Sequence, residues 1–228
     1  MTELWDGFVK ALQLIASFDP EVMEIAGRSL AISATSCTIA TLLCVPLGAL
    51  IHFNTFRGKR LLISAVQTLF SLPTVAVGLI VFVLFSRAGP LGGLGLLFTP
   101  SVMVIGQVML ISPIMLGLII SALSGVDRAV TETATALGAS SLQSSLLTIR
   151  EARYAMVTAV IMGFGRAISE VGLSLMVGGN IRGFTRTITT AISLETSKGD
   201  VELAMALGII LILIALVINI ALNRLQQR

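Results

Sequence analysis

Long apolar runs alternate with short polar, charge-bearing links along this chain, and that alternation predicts its elements. Residues 29–51 carry no charge and are long enough to cross a bilayer at about 1.5 Å of rise per residue. A second apolar block covers 61–86 and is interrupted by Pro73; a third covers 99–123 and contains Pro113. The fourth runs over 154–179 and the fifth over 203–223. Each internal proline removes a backbone donor, so both are expected to kink or break their helices, which is tolerated where neighbours or water satisfy the freed carbonyls. The pattern predicts an all-α, polytopic membrane protein of about five transmembrane helices, forming one domain over residues 1–228.

The opening residues, MTELWDGFVKALQLIASF, lack the basic start and small-residue cleavage site of a signal peptide. Leu4, Phe8, Leu12 and Ile15 form an apolar stripe, with Asp6, Lys10 and Gln13 off it. The run is too short to span, so 1–18 reads as an interfacial helix with Trp5 at the headgroup level; a partial extra span is the alternative. Asp19-Pro20 then reads as an N-cap followed by proline at the first helical position.

The longest polar interval between apolar blocks is 124–153, SGVDRAVTETATALGASSLQSSLLTIREAR. Ser124 and Asp127 offer capping side chains, and Val126, Val130, Ala134 and Leu137 recur at helical spacing. Gly138 supplies a left-handed position that ends such a helix. Ser140 and Ser141 can cap a second helix carrying Leu142, Leu146 and Ile149. A helical hairpin between two spans presents a stiff knob outside the bilayer, the shape that helix-in-groove docking uses.

Composition narrows the class. The chain has 228 residues, of which 55% are hydrophobic and only 12% charged, with a mean hydropathy of +0.98. Soluble domains carry roughly 25% charged residues, so this balance points to the membrane. The net charge of +3 comes from scattered basic residues and gives nucleic-acid binding no support. Cys37 and Cys44 lie seven apart on one predicted helix, about 10 Å along its axis, too far for a disulfide. His52 has no second ligand in view, so no metal site is expected.

Basic residues set an orientation. Arg57, Lys59 and Arg60 crowd the link after the first block, Arg128, Arg150 and Arg153 lie in the hairpin, and Arg224 and Arg228 in the tail. The positive-inside rule then puts these on the cytoplasmic side and the N-terminus, with Glu3, Asp6, Asp19, Glu21 and Glu24, outside.

Two charges, Arg166 and Glu170, sit well inside an apolar block. Arg166 is twelve residues past Tyr154, about 18 Å of helix rise, near mid-depth. A central Arg costs roughly 2.5 to 3.5 kcal/mol on insertion scales, so it should face protein or water. A spacing of four puts the two on one helix face. They read either as an ion pair that fixes packing or as a gate or anion contact in a translocation path, with Gly172, Gly178 and Asn180 beside it. Gly163, Gly165, Ala167, Gly172, Gly178 and Gly179 supply a small surface for close helix approach, or hinges.

The hairpin also resembles a known family. Glu132-Thr133-Ala134, then Leu137-Gly138-Ala139, then Ile149, is similar to the "EAA" signature of ABC importer permeases. Thr133 replaces a second small Ala, and Glu151 stands where the family has Pro. The 61–228 region resembles the molybdate, sulfate and tungstate permeases: LFSLPTVAVGLIVFVLFSRAGPLGGLG looks like the molybdate and sulfate type. Ile168-Ser169-Glu170-Val171-Gly172 and Gly178-Gly179-Asn180-Ile181 look like tungstate permeases.

The resemblance implies a type I ABC importer permease fold. It makes Glu132, Thr133, Ala134, Leu137, Gly138, Ala139 and Ile149 an ATPase-coupling element that sits in a cleft of a cytoplasmic ABC ATPase dimer. It implies a homodimer in the plasma (inner) membrane, and an external substrate-binding protein meeting the link at 181–200. It favours tungstate as the substrate, with molybdate or sulfate as alternatives. No Walker A sequence is present, since Gly58-Lys59 lacks both the earlier Gly and the following Ser or Thr. The chain is therefore expected to be non-catalytic and without a cofactor of its own, ATP and Mg being on the partner, and no appended regulatory domain is expected. A secondary transporter using Glu170 as proton carrier is a rival, though no inverted repeat is visible. A non-transporting scaffold is another. An enzyme lacks a nucleophile–base pair.

Overall fold

The computed structural model describes residues 2–226, and among them every regular element is helical. Three helices are long and apolar enough to cross a membrane, and the crossings number up to five if each of two sharply bent helix pairs is one span. Side chains at Glu3, Leu4 and Asn223, and residue Arg228, named in the sequence reading, lie outside the described residues.

The first crossing is α2 (Pro20–Phe53), opened as its sequence predicts: the Asp19 carboxylate accepts from the Val22 N–H at 3.0 Å, with Pro20 in the first turn. Its 34 residues give about 51 Å, well beyond the ~30 Å hydrocarbon core. Three buried clusters are strung along it. Val22, Ile25 and Ala26 meet Ala11, Ile188, Ala191, Leu207 and Ile210. Ile32 joins Val77, Val81, Met103, Leu110 and Leu173. Cys37, Ala40 and Cys44 pack with Ile111, Met115, Ile119 and Ala159, both thiols being free and buried.

The helix before it, α1 (Thr2–Ala16), packs on the start of α11 (Val201–Gln226) rather than lying free. Gly7 lets it approach: a Cβ there would fall 2.8 Å from Met205 Cβ, and Lys10 pairs with Glu202 at 3.7 Å. Gly7 and Ala11 are buried, so Trp5, Phe8 and Leu12 of the predicted stripe face outward, Trp5 being 66% exposed.

The second block is a sharply bent helix pair. α3 (Lys59–Thr68) and a 3₁₀ turn (Leu69–Ser71) precede α4 (Thr74–Phe85), and the two halves are bent by 98°. Pro73 cannot donate into the ladder and Leu72 before it is driven to extended ψ, so the helix stops there as expected. The bend is seated by Phe70, whose ring fills the notch left at Gly117: a Cβ at 117 would lie 2.3 Å from Phe70 Cζ.

Of the expected kink or break, Pro113 does not break its helix: α5 (Pro100–Ser124) runs through it without interruption. The Ser112 hydroxyl donates to the Val108 carbonyl at 2.6 Å beside the missing bond, and Ile111, Met115 and Ile119 around it are fully buried against α2 and α8 (Arg153–Ile168). Packing over-determines the helix there.

The fourth block is the second correction. It is two helices, α8 and α9 (Gly172–Gly178), bent by 59°. Arg166 is therefore in the last turn of α8, while Glu170 lies past its C-cap, Ser169, and not on one continuous helix with it. The glycines divide as well. Gly163 and Gly178 are tight against Met115 and Met103, with would-be Cβ distances of 2.6 and 2.7 Å, whereas Gly165 has nothing within 4 Å. α10 (Ile188–Lys198) then leads into α11.

Candidate functional site

The 124–153 hairpin is built from residues that specify it locally. α6 (Arg128–Ala136) is capped by Asp127, whose carboxylate accepts from the Ala129 N–H at 2.9 Å. Ser124, the other predicted cap, instead ends α5 and bonds the His52 ring at 3.2 Å. At the far end Gly138 takes φ +85°, the Ala139 N–H reaches the Ala134 carbonyl at 2.9 Å, and the Gly138 N–H reaches that of Thr135 at 3.0 Å. That pair of bonds is a Schellman motif, which needs the left-handed residue at Gly138. α7 (Ser141–Glu151) opens on a capping box: Ser140 Oγ accepts from the Gln143 N–H at 3.3 Å, and Gln143 Oε1 accepts from the Ser140 N–H at 2.8 Å.

The hairpin carries its apolar surface outward. Leu137, Leu142 and Leu146 are 84%, 68% and 57% exposed. Glu132, Thr133 and Gly138 are exposed with them, while Ala134 is buried between the two helices and Ile149 packs toward the α2–α5–α8 cluster. Of the seven signature residues, Glu132, Thr133, Leu137 and Gly138 thus face outward, Ala139 is half-buried, and Ala134 and Ile149 face inward, Ile149 against the bundle. Only Ala152 separates α7 from α8, and its φ and ψ of −74° and −5° stay helical, so the hairpin continues stiffly into the span bearing Arg166.

At the break in that span, Arg166 Nη1 donates to Glu170 Oε2 at 2.8 Å. Glu170 is 2% exposed and Arg166 33%, so the carboxylate is enclosed and the guanidinium faces partly out. Glu170 Oε1 also accepts from the Leu173 N–H at 3.0 Å, capping α9, a role the sequence reading did not assign it. Around the break, Thr189 Oγ1 donates to the Glu170 carbonyl at 2.9 Å and Gln107 Nε2 to the Ala167 carbonyl at 3.2 Å. The Glu170 carbonyl is thereby satisfied from α10, while the Ala167 carbonyl, which also accepts from the Glu170 N–H at 3.2 Å, gains a second donor from α5. Gly172 stands against the other break: a Cβ on it would lie 3.1 Å from Val75 and 3.3 Å from Thr74.

Arg166, Glu170 and Gly172 therefore form one cluster. Gly178 and Asn180 are not in it: they lie at the other end of α9, Gly178 against Met103 and Asn180, at φ +50°, donating to the Thr190 carbonyl at 3.2 Å. The supporting residues were signalled by Ser29, Ser33 and Ser36 at helical spacing and by the run of threonines at 185, 187, 189 and 190, all of them buried. Ser29 Oγ accepts from the Ile188 N–H at 2.8 Å and ties α10 to α2.

A third polar assembly lies where α2 begins and α10 ends. Arg182 makes a two-pronged contact with Glu21 at 2.9 and 2.5 Å, Arg186 lies 3.6 Å from the same carboxylate, and Lys198 pairs with Glu195 at 2.9 Å. Hydrogen bonding to Glu21 holds the Arg182 guanidinium above its ordinary pKa. These groups line a cavity of about 390 Å³ with Leu14, Val22 and Leu203.

Residues 44–228 match the family described as "Binding-protein-dependent transport system inner membrane component". The chain belongs to that family. Among its relatives in the transport family, the tungstate uptake system permease protein TupB of Peptoclostridium acidaminophilum is 41% identical over the full length of both chains. TupB of Campylobacter jejuni is 40% identical, covering 98% of this chain and 94% of its own. A crystal structure of an amino acid ABC transporter with histidines superposes with a TM-score of 0.63 at 16% identity, covering 96% of this chain and 95% of that one. The fold is the type I ABC importer permease fold, and the protein is a membrane-embedded permease component.

Proposed function

We propose that this permease carries an oxyanion, tungstate, into the cell as the membrane half of an ATP-driven importer. The observation that carries this reading is the 41% identity, without truncation on either side, to a protein named for tungstate uptake. ATP and Mg are handled by a separate cytoplasmic ATPase dimer, and this chain has no catalytic residue. Two copies of the chain enclose the path, the hairpin side faces the cytoplasm, the N-terminus lies outside, and an external binding protein delivers the anion near 181–200.

The hairpin is the coupling element in this reading. Its three exposed leucines form an apolar surface on a rigid, doubly capped elbow, and a docking cleft on the ATPase covers it. Nucleotide-driven motion of the ATPases pushes α7, and through it α8, switching the helix bundles between inward-open and outward-open states. At the break the Arg166 guanidinium, partly neutralised by Glu170, offers a transient contact to a passing dianion without trapping it.

The test is co-purification of the permease with candidate ATPases, followed by binding-protein-dependent ATP hydrolysis against a panel of tungstate, molybdate and sulfate. Stimulation greatest with tungstate is expected. Stimulation by molybdate or sulfate alone would reassign the substrate. Uptake that collapses with an uncoupler at constant ATP, and needs neither Glu132 nor Gly138, would replace the importer reading with a proton-coupled carrier.

A further inference from the structure

We infer that the corner between α2 and α3 is a binding site for the headgroup of an anionic phospholipid. Arg57, Lys59 and Arg60 lie within four residues, and the chain contains no Asp or Glu from Ile25 through Val126. Among the described residues none of the three forms an ion pair. Lys59 is spent on backbone: its Nζ donates to the His52 carbonyl at 2.7 Å and that of Asn54 at 3.1 Å, closing the end of α2. Arg57 and Arg60 are exposed. The next carboxylate along the chain, Asp127, caps α6.

Apolar groups surround this charge. A cavity of about 480 Å³ is lined by Thr55, Phe56, Gly58, Lys59, Arg60 and Ile63. Phe56 is 45% exposed and Leu61, next to Arg60, is 75% exposed. In α3 only Val66 is buried. The 98° bend turns α3 nearly perpendicular to α4, so the basic corner between α2 and α3 stands apart from α4 at the end of the α2 span. The Ser124–His52 contact shows that α2 and α5 end at this same level. A corner at the end of a membrane span, with arginines that form no ion pair beside exposed apolar groups, fits a phosphodiester beside the guanidinium groups and acyl chains against Phe56 and Ile63. The site requires only membrane placement and is independent of the transported anion.

The permease is purified in detergent, delipidated, and titrated with phosphatidylglycerol or phosphatidylcholine by native mass spectrometry. Wild type is expected to retain phosphatidylglycerol in preference to phosphatidylcholine. The double variant Arg57→Gln, Arg60→Gln is expected to lose about thirtyfold in that affinity, the amount two headgroup-level cations supply. Arg57→Lys, Arg60→Lys keeps most of it, and Arg87→Gln, an exposed arginine at another corner, is unchanged. Equal retention of both lipids by wild type overturns the proposal, as does undiminished retention by the glutamine variant. Displacement of the lipid by millimolar inorganic phosphate would show a free-anion site instead. Unaltered lipid retention with loss of dimer or ATPase association would assign the corner to a protein partner. None of these readouts uses substrate, so failure here leaves the importer reading standing, and the converse also holds.

Discussion

Replacing Gly138 separates the shape of the hairpin from what the hairpin touches. Its φ of +85° is a conformation that costs an L-residue about 1 to 2 kcal/mol, and a β-branched side chain fares worst. A Cβ built at 138 meets nothing within 4 Å, so in this chain the penalty is backbone strain with no clash added. At about 1.4 kcal/mol per factor of ten, Gly138→Val shifts the turn roughly five- to thirtyfold away from the Schellman geometry. Asn tolerates the left-handed region, so Gly138→Asn leaves the turn nearly intact while placing a polar side chain on the exposed apex. The assay is substrate-stimulated ATP hydrolysis in the reconstituted complex, with membrane abundance as control, since the hairpin apex lies outside the buried clusters. We expect Gly138→Val to abolish stimulation at near-normal abundance. A matching loss in Gly138→Asn would locate the requirement in close docking, and a spared Gly138→Asn would locate it in the turn. Wild-type stimulation in Gly138→Val refutes the coupling role outright.

Glu170→Gln and Arg166→Gln should each cut uptake while leaving the complex assembled, measured by transport and by gel filtration; normal uptake in both rejects a pathway role. Glu170→Ala also removes the α9 cap, so it should lose about 1 kcal/mol more stability than Glu170→Gln in a thermal melt. Gly117→Ala forces Phe70 off its seat and should lower stability by about 1 to 3 kcal/mol, with part recovered by adding Phe70→Leu. Thr189→Val removes the donor to the Glu170 carbonyl and should cost about 1 kcal/mol by the same melt, with a larger effect on transport if α10 reports to the break.

The hairpin was legible almost residue by residue because every signal in it is local. A cap acts within three positions, and a left-handed glycine acts on its own turn, so Asp127, Gly138 and Ser140 could be placed without knowing their surroundings. Ser124 was misread because its partner, His52, is 72 residues away. The spans were found by length and apolar content, yet the fate of each proline was not. Pro73 breaks its helix at a bend seated by Phe70, Pro113 rides inside one where Ile111 and Met115 are fully buried, and Pro46 lies exposed inside the uninterrupted α2. Packing surrounds Pro113, but the exposed Pro46 shows that burial is not required for a proline to stay within a helix. The Arg166–Glu170 pair was predicted from a spacing of four, and it forms, although the helix that would have justified the spacing has already ended.

In the proposed coupling, the hairpin's push is received at this break. Four groups from three other elements converge on residues 167–173: Gln107 from α5, Thr189 from α10, and Thr74 with Val75 from the head of α4. A continuous helix at this depth would need no outside donor for the Glu170 carbonyl, since its own amides would satisfy it. The break instead makes the Glu170 carbonyl depend on Thr189 of α10, while the Ala167 carbonyl keeps the Glu170 N–H and adds Gln107 of α5. A displacement of α8 along its axis, delivered through Ala152, therefore cannot be absorbed within one helix. It must either shift α9 with it or exchange the partners of Glu170, whose carboxylate joins Arg166 on one side to the first turn of α9 on the other.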